Sequence, residues 1–279
     1  MAAACAIGVV SWAWQAAASS GTEELDTPFV VTPDNVVKAM LDLAQVRPRD
    51  RLIDLGSGDG RIVIAAAQRG ATATGIEIDA NLVERSRERA HAANVGDRTA
   101  FVTQDLFETD FAGYDVVTMY LLPDVNRRLA PKLLTTLKPG ARIVSHDYGL
   151  GDWPPDRTIV VEAPDKPVGA RKASTIHFWR VPAQLAGEWA PDAGSAAVQL
   201  DFTQHYQQVS GTLRYAGREY RLVDPTLSGT TLTAVAQPAD GPSFDLLLQA
   251  DGDRLVGAMN ERGRTKPIRL TLRQVAKTQ

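Results

Sequence analysis

The hydrophobic periodicity of the chain changes once, and this change limits the fold more than any other feature of the sequence. From Thr32 to about Leu137, helical and strand patterns alternate. Thr32-Pro33-Asp34 opens the first helix, with Thr32 as the cap, Pro33 in the first turn and Asp34 set against the helix dipole. Val36, Val37, Met40, Leu41 and Ala44 then share one face. Strands are expected over 51–55, 71–78, 99–103, 114–120 and 141–145, and helices over 61–68, 81–93 and 125–137, the last carrying Pro131. Strands alternating with helices predict an α/β fold, a Rossmann-like and mostly parallel sheet with helices on both faces.

After His146 the alternation stops. Gly149, Gly151, Pro154 and Pro155 oppose a helix before the next strand at 158–162, and Trp153-Pro154-Pro155 reads as a rigid turn. The run 174–181 is then the antiparallel partner of 158–162. From Pro182 helical spacing is lost. Val198, Leu200 and Phe202 alternate, as do Phe244, Leu246 and Leu248, and Ile268, Leu270 and Leu272. Turn pairs such as Ala216-Gly217, Ser228-Gly229 and Asp251-Gly252 punctuate these runs. This half predicts a C-terminal antiparallel all-β module, a barrel or a sandwich. The expected organisation is an apolar leader or tail over 1–22, a first domain over 23–182 and the β module over 183–279.

Composition excludes several function classes. The net charge of −3 supplies no basic field for nucleic acid. One Cys forbids a disulfide framework or a Cys-rich zinc site, and the four His residues lack metal-ligand spacing, so no metal is expected. The first 22 residues carry no charge. Ala16-Ala17-Ala18 has the small-residue look of a cleavage site, yet no basic residue precedes the apolar run. Export, a membrane association through these residues, and an incidental Ala-rich arm all stay open.

The chemistry-bearing stretch is Asp54-Leu55-Gly56-Ser57-Gly58-Asp59-Gly60-Arg61, between a strand and a helix. Glycines there permit a tight turn and a close approach of backbone to ligand. The spacing is G-x-G-x-G, with Arg61 where a dinucleotide fingerprint needs its third Gly. Glu77, in Gly75-Ile76-Glu77-Ile78-Asp79, ends the second strand, where a carboxylate can accept both hydrogen bonds of a ribose diol. Together they fit a nucleoside ligand across the strand ends.

These motifs resemble the class I, seven-strand S-adenosylmethionine-dependent methyltransferases. Gln104-Asp105-Leu106-Phe107 after the third strand extends the resemblance. It implies S-adenosylmethionine as cofactor, with Asp54, Gly56, Ser57, Gly58 and Gly60 around its methionine part, Glu77 on the ribose, Ile78 beside the adenine, and Asp105 and Leu106 at the adenine edge. Over roughly residues 27–156, the segments Thr27-Pro28-Phe29-Val30-Val31-Thr32-Pro33, Tyr120-Leu121-Leu122-Pro123 and Ser145-His146-Asp147 are similar to bacterial relatives of the mitochondrial protein-lysine methyltransferases that modify adenine nucleotide translocase and ATP synthase. That resemblance implies Tyr120 as the residue that orients the nucleophile, Pro123 with Leu121 and Leu122 as the channel wall, and Phe29 and Thr32 closing over the cofactor. His146 is a candidate base on the strength of its ordinary pKa.

The expected activity is therefore N-methylation of a lysine or other amine of a protein, with a small-molecule acceptor still open. The contrasting reading is a non-catalytic envelope protein whose β module binds a partner or a lipid. Gly187-Glu188-Trp189 is faintly similar to the opening of lipocalin-type barrels. Cofactor supply favours a cytoplasmic protein or one tethered at the cytoplasmic face, whereas the leader suggests export. The oligomeric state is not legible.

Overall fold

The structure, a computed structural model, describes residues 29–169, 171–193 and 196–275. The apolar leader and Thr27-Pro28 lie outside the described residues. The first half runs α1 (Asp34–Leu43), β1 (Arg51–Leu55), α2 (Arg61–Gln68), β2 (Thr72–Glu77), α3 (Ala80–Ala92), β3 (Thr99–Thr103), β4 (Val116–Met119), α4 (Pro123–Thr136), β5 (Arg142–His146), β6 (Arg157–Glu162) and β7 (Ala173–Arg180). Its seven strands are ordered β3-β2-β1-β4-β5-β7-β6. The first five are parallel, and β7 runs antiparallel to both β5 and β6. Strand order reverses between β1 and β4, which opens a crevice at their carboxyl ends, the usual ligand position in an open α/β sheet.

Successive residues of the central strands feed opposite cores, as the two-residue period requires. Leu52, Val116 and Val144 pack beneath α1, α2 and α3, while Ile53, Val117 and Ile143 face α4. Each side chain is fully buried, so each contributes on the order of 2 kcal/mol of transfer free energy. This double-sided burial is why all four residues of β4 are buried, with Thr118 the one polar side chain among them.

Two local expectations need correction. Pro33 is the N-cap of α1, and no side chain caps that end. Thr32 is instead buried, with its hydroxyl 3.3 Å from His146 Nδ1. Helix α4 begins at Pro123, two residues earlier than periodicity indicates, because proline's fixed φ and missing N–H suit the first helical position. Among the described residues no helix connects β5 to β6, in keeping with the glycines and prolines of that stretch.

The second half is a closed barrel of eight antiparallel strands: β8 (Gly187–Pro191), β9 (Val198–His205), β10 (Gln208–Tyr215), β11 (Arg218–Ser228), β12 (Thr231–Gln237), β13 (Phe244–Asp251), β14 (Arg254–Glu261) and β15 (Ile268–Gln274). Closure of β8 against both β9 and β15 removes every open edge. Strand β13 alternates strictly between buried and exposed residues. Inward side chains, among them Trp189, Phe202, Tyr220, Phe244 and Leu248, form one continuous apolar cluster, so the barrel is a packed body. It meets the sheet half at the turn after β5. Trp153 is buried there, stacks on Tyr206 at 5.6 Å and donates to Gln207 at 3.0 Å, while Gln207 donates to the Pro154 carbonyl. The rigid turn is thus a seat for the barrel.

Candidate active site

A cavity of about 390 Å³ lies over the carboxyl ends of β1, β2 and β4. It is lined by Asp54, Gly56, Ser57, Gly58, Glu77, Ile78, Asp105, Leu106, Phe29, Thr32 and Tyr120, all expected from the sequence. Gly60 is not in its wall; it takes the N-cap of α2. Leu121, expected in the channel wall, is there, and Val30, Ile62, Leu82 and Val125 supply further apolar surface to which the sequence motifs assigned no role.

The loop after β1 carries its glycines at φ of 68° and 54° for Gly56 and Gly58. A Cβ on Gly58 would collide with the Phe29 ring, and one on Gly56 would stand 2.8 Å from Leu121 Cδ2. The loop must therefore be both left-handed and bare. Beyond it, Asp59 is held by Arg61 and Arg89. Arg61 also donates to the Thr32 carbonyl at 2.9 Å, tying the segment before α1 to the loop.

The carboxyl groups that line this cavity differ in burial and in hydrogen bonding. Asp54 is 2% exposed and accepts from the Thr118 hydroxyl at 2.7 Å. Burial pushes its carboxyl up to about 8 against the pull of that hydrogen bond, with the charges of Glu77 and Asp59 adding to the rise. Glu77 is only half-buried. One of its oxygens accepts from Gly58 N–H, and the other from Ile78 and Asp79 N–H, at 2.8 to 3.1 Å. Asp105 also lines the cavity and accepts from Phe107 N–H at 2.8 Å.

This donor and acceptor set fits S-adenosylmethionine. The Ser57 hydroxyl is buried at the wall without a hydrogen-bond partner among the described residues. A buried carboxyl with one neutral donor, as at Asp54, is completed by an ammonium, and the Glu77 carboxylate at the rim by a diol. The bare glycine loop admits a ligand at backbone distance.

A protein-family description, the ANTKMT methyltransferase domain, matches residues 54–157. A protein-lysine N-methyltransferase of Saccharolobus islandicus (strain REY15A) is 42% identical over 137 residues, which is 48% of this chain and 85% of that one. The chain belongs to this methyltransferase family. The adenine nucleotide translocase lysine N-methyltransferase of Mus musculus is 36% identical over 143 residues, 51% of this chain, and the chain spans 62% of the length of that relative. An RNA methyltransferase of Salinibacter ruber, solved in complex with S-adenosyl-L-homocysteine, is 46% identical with a TM-score of 0.51, covering 56% of this chain and 96% of that one. S-adenosylmethionine is accordingly the methyltransferase's cofactor.

Tyr120 follows β4, half-buried, and donates its hydroxyl proton to Asp147 Oδ2 at 3.2 Å. Burial and the Asp147 charge raise the phenol above its ordinary value, so it stays protonated. His146 is placed differently from its candidate role as base. It is fully buried behind Tyr120, ring centroids 3.8 Å apart, and is not part of the cavity wall. Its Nε2 lies 2.8 Å from the Ser174 hydroxyl and its Nδ1 faces Thr32. Both ring nitrogens are occupied, and burial pushes the imidazole below its usual range. Pro123 also leaves the wall, because it is committed to starting α4.

Lys166, Ser174 and Asn126 escaped sequence reasoning. Asn126 is buried on α4 and donates to the Tyr148 and Gly149 carbonyls, fixing the turn that carries Asp147. Its period along the helix marks it as inward, and a polar residue on an apolar stripe is the signal that could have found it. Lys166 and Ser174 come from beyond β6 and carry no local signal.

Proposed function

We propose that this methyltransferase modifies the side-chain amine of a protein lysine. The observation that carries the reading is Tyr120, a protonated phenol in the wall of the cofactor cavity at the end of β4, with its ring backed by His146. An amine needs an aromatic and partly dry channel, because desolvation favours the neutral, nucleophilic form over the ammonium. When bound, the cofactor would supply a transferable methyl group on a cationic sulfur that takes back the bonding pair, for a neutral amine whose surplus proton would pass to solvent. The chain's own part is alignment and exclusion of water. Asp54 and Ser57 hold the methionine end, Glu77 the ribose, and Ile78, Asp105 and Leu106 the adenine, while Phe29 and Thr32 cover the loop and Tyr120 faces the acceptor.

The relatives from Saccharolobus islandicus and mouse, both named as lysine N-methyltransferases, support this acceptor class. The net charge of −3 supplies no field for an RNA backbone. We read residues 23–182 as the methyltransferase domain and 183–279 as a barrel that covers it at Trp153, acting on the cytoplasmic side where the cofactor is made. Incubating the protein with labelled cofactor and a lysate, then separating protein, RNA and small molecules, tests the acceptor class. Label in protein is expected; label confined to RNA or to small molecules would reject it.

A further inference from the structure

We infer that Lys166 is a positioning residue that sets the hydrogen-bond polarity of Tyr120 through Asp147. The inference rests on the reading that Tyr120 faces the acceptor amine. Lys166 stands in the loop between β6 and β7, far from any cofactor motif, and is 8% exposed. Its Nζ lies 2.7 Å from Asp147 Oδ2 and donates to the Ala173 carbonyl at 2.9 Å. The same Asp147 oxygen receives the Tyr120 hydroxyl, and Asp147 Oδ1 receives Thr175 N–H at 3.1 Å. Asp147 itself sits in the turn after β5 at a left-handed φ of 62°, which aspartate adopts more readily than most side chains.

A buried ion pair is a poor source of stability, because desolvation consumes most of its attraction. Its position on the one carboxylate that holds Tyr120 points to a different use. With Asp147 charged, the phenol's single proton is committed to it, and both lone pairs of the phenol oxygen stay available as acceptors. An amine nucleophile needs its own lone pair for the methyl carbon, so a neighbour that accepts an amine N–H orients it, whereas one that donates to the lone pair disables it. Lys166 keeps Asp147 in the state that enforces acceptance. His146 from β5, Tyr120 and Tyr148 are the other titratable groups around Asp147; Lys166 is the cation among them.

The test compares Lys166→Met with Lys166→Arg, which can restore the ion pair. Ring-labelled tyrosine NMR reads the phenol directly, with Tyr120 assigned by its loss in Tyr120→Phe. In Lys166→Met the Tyr120 resonance should move and kcat should fall between about tenfold and a hundredfold, the range for a misplaced reacting group, with cofactor Kd within twofold of the wild type. Lys166→Arg should recover both the resonance and kcat, and Tyr120→Phe combined with Lys166→Met should be no slower than Tyr120→Phe alone. An unmoved Tyr120 resonance, an unchanged kcat, or additive losses would overturn the inference. If the wild type itself methylates no protein, the functional reading fails, and the NMR comparison alone decides whether Lys166 governs Tyr120.

Discussion

The Thr118 hydroxyl donates to Asp54 Oδ1 at 2.7 Å across the β1–β4 pair, at the floor of the cofactor cavity. That neutral donor does not offset burial, and the carboxyl remains protonated near pH 7 with its pKa pushed up to about 8. The unfolded chain ionises this group near 3.8, so the folded state holds the extra proton between about pH 4 and pH 8 and the group's contribution to stability falls as pH rises through that window. Asp54→Asn keeps an acceptor for Thr118 and removes the titration. Its Tm in the free protein should exceed the wild type's at pH 8 and converge with it at pH 4. The cofactor's ammonium should lower the Asp54 pKa, so binding at pH 7 should release a proton in wild type and none in Asp54→Asn, as calorimetry in buffers of different ionisation enthalpy would show.

Glu77 makes a second, separable prediction. Its two oxygens receive three backbone N–H groups yet remain half-exposed at the rim. Glu77→Ala should weaken S-adenosylhomocysteine binding by about 1.5–3 kcal/mol, the value of a charge-assisted hydrogen bond. Titration calorimetry measures this, and an unchanged Kd would remove the ribose role.

His146 should leave no mark on the rate profile near its ordinary pKa. Burial keeps it neutral in the folded state, while the unfolded chain takes up a proton below about pH 6.5. Stability from this site is therefore complete above pH 6.5 and declines as pH falls below it. Asp147, held low against its burial by Lys166 and the Thr175 N–H, begins to cost stability only at more acid pH. In His146→Phe, which retains a ring behind Tyr120, the fall of Tm between pH 6.5 and pH 5 should be shallower than in wild type. A rate limb near pH 6.5 that vanishes in this variant would contradict the assignment.

The barrel's seat gives a fourth expectation. Trp153 places its indole between Tyr206 and Trp179 and its N–H on Gln207. Trp153→Ala should cost about 3–5 kcal/mol, as for other buried aromatic truncations, measured by urea denaturation. A loss within 0.5 kcal/mol, an ordinary surface effect, would mean the two halves are energetically independent at this contact.

What could be read from the sequence follows from locality. The short apolar runs at Leu52-Ile53 and Val116-Val117, each bounded by turn residues, are strand signatures, and the Gly56-Ser57-Gly58 loop and Glu77 are motifs within short spans, so the sheet and the cofactor side were legible. Barrel closure was not, because the pairing of β8 with β15 joins distant strands without a local pattern. His146 drew notice as a candidate base by its residue type alone, because Ser174 and Thr32, which stand at its two nitrogens, are contributed from other segments. Lys166 reaches Asp147 only because the β6–β7 hairpin folds beside β5.

Amino-acid analysis of a protein fraction labelled by the purified enzyme with methyl-tritiated cofactor tests the central claim most directly. The account predicts label eluting as Nε-methylated lysine, strongly reduced when Tyr120→Phe replaces the wild type. Label in RNA, label on another side chain, or equal transfer by Tyr120→Phe would contradict it.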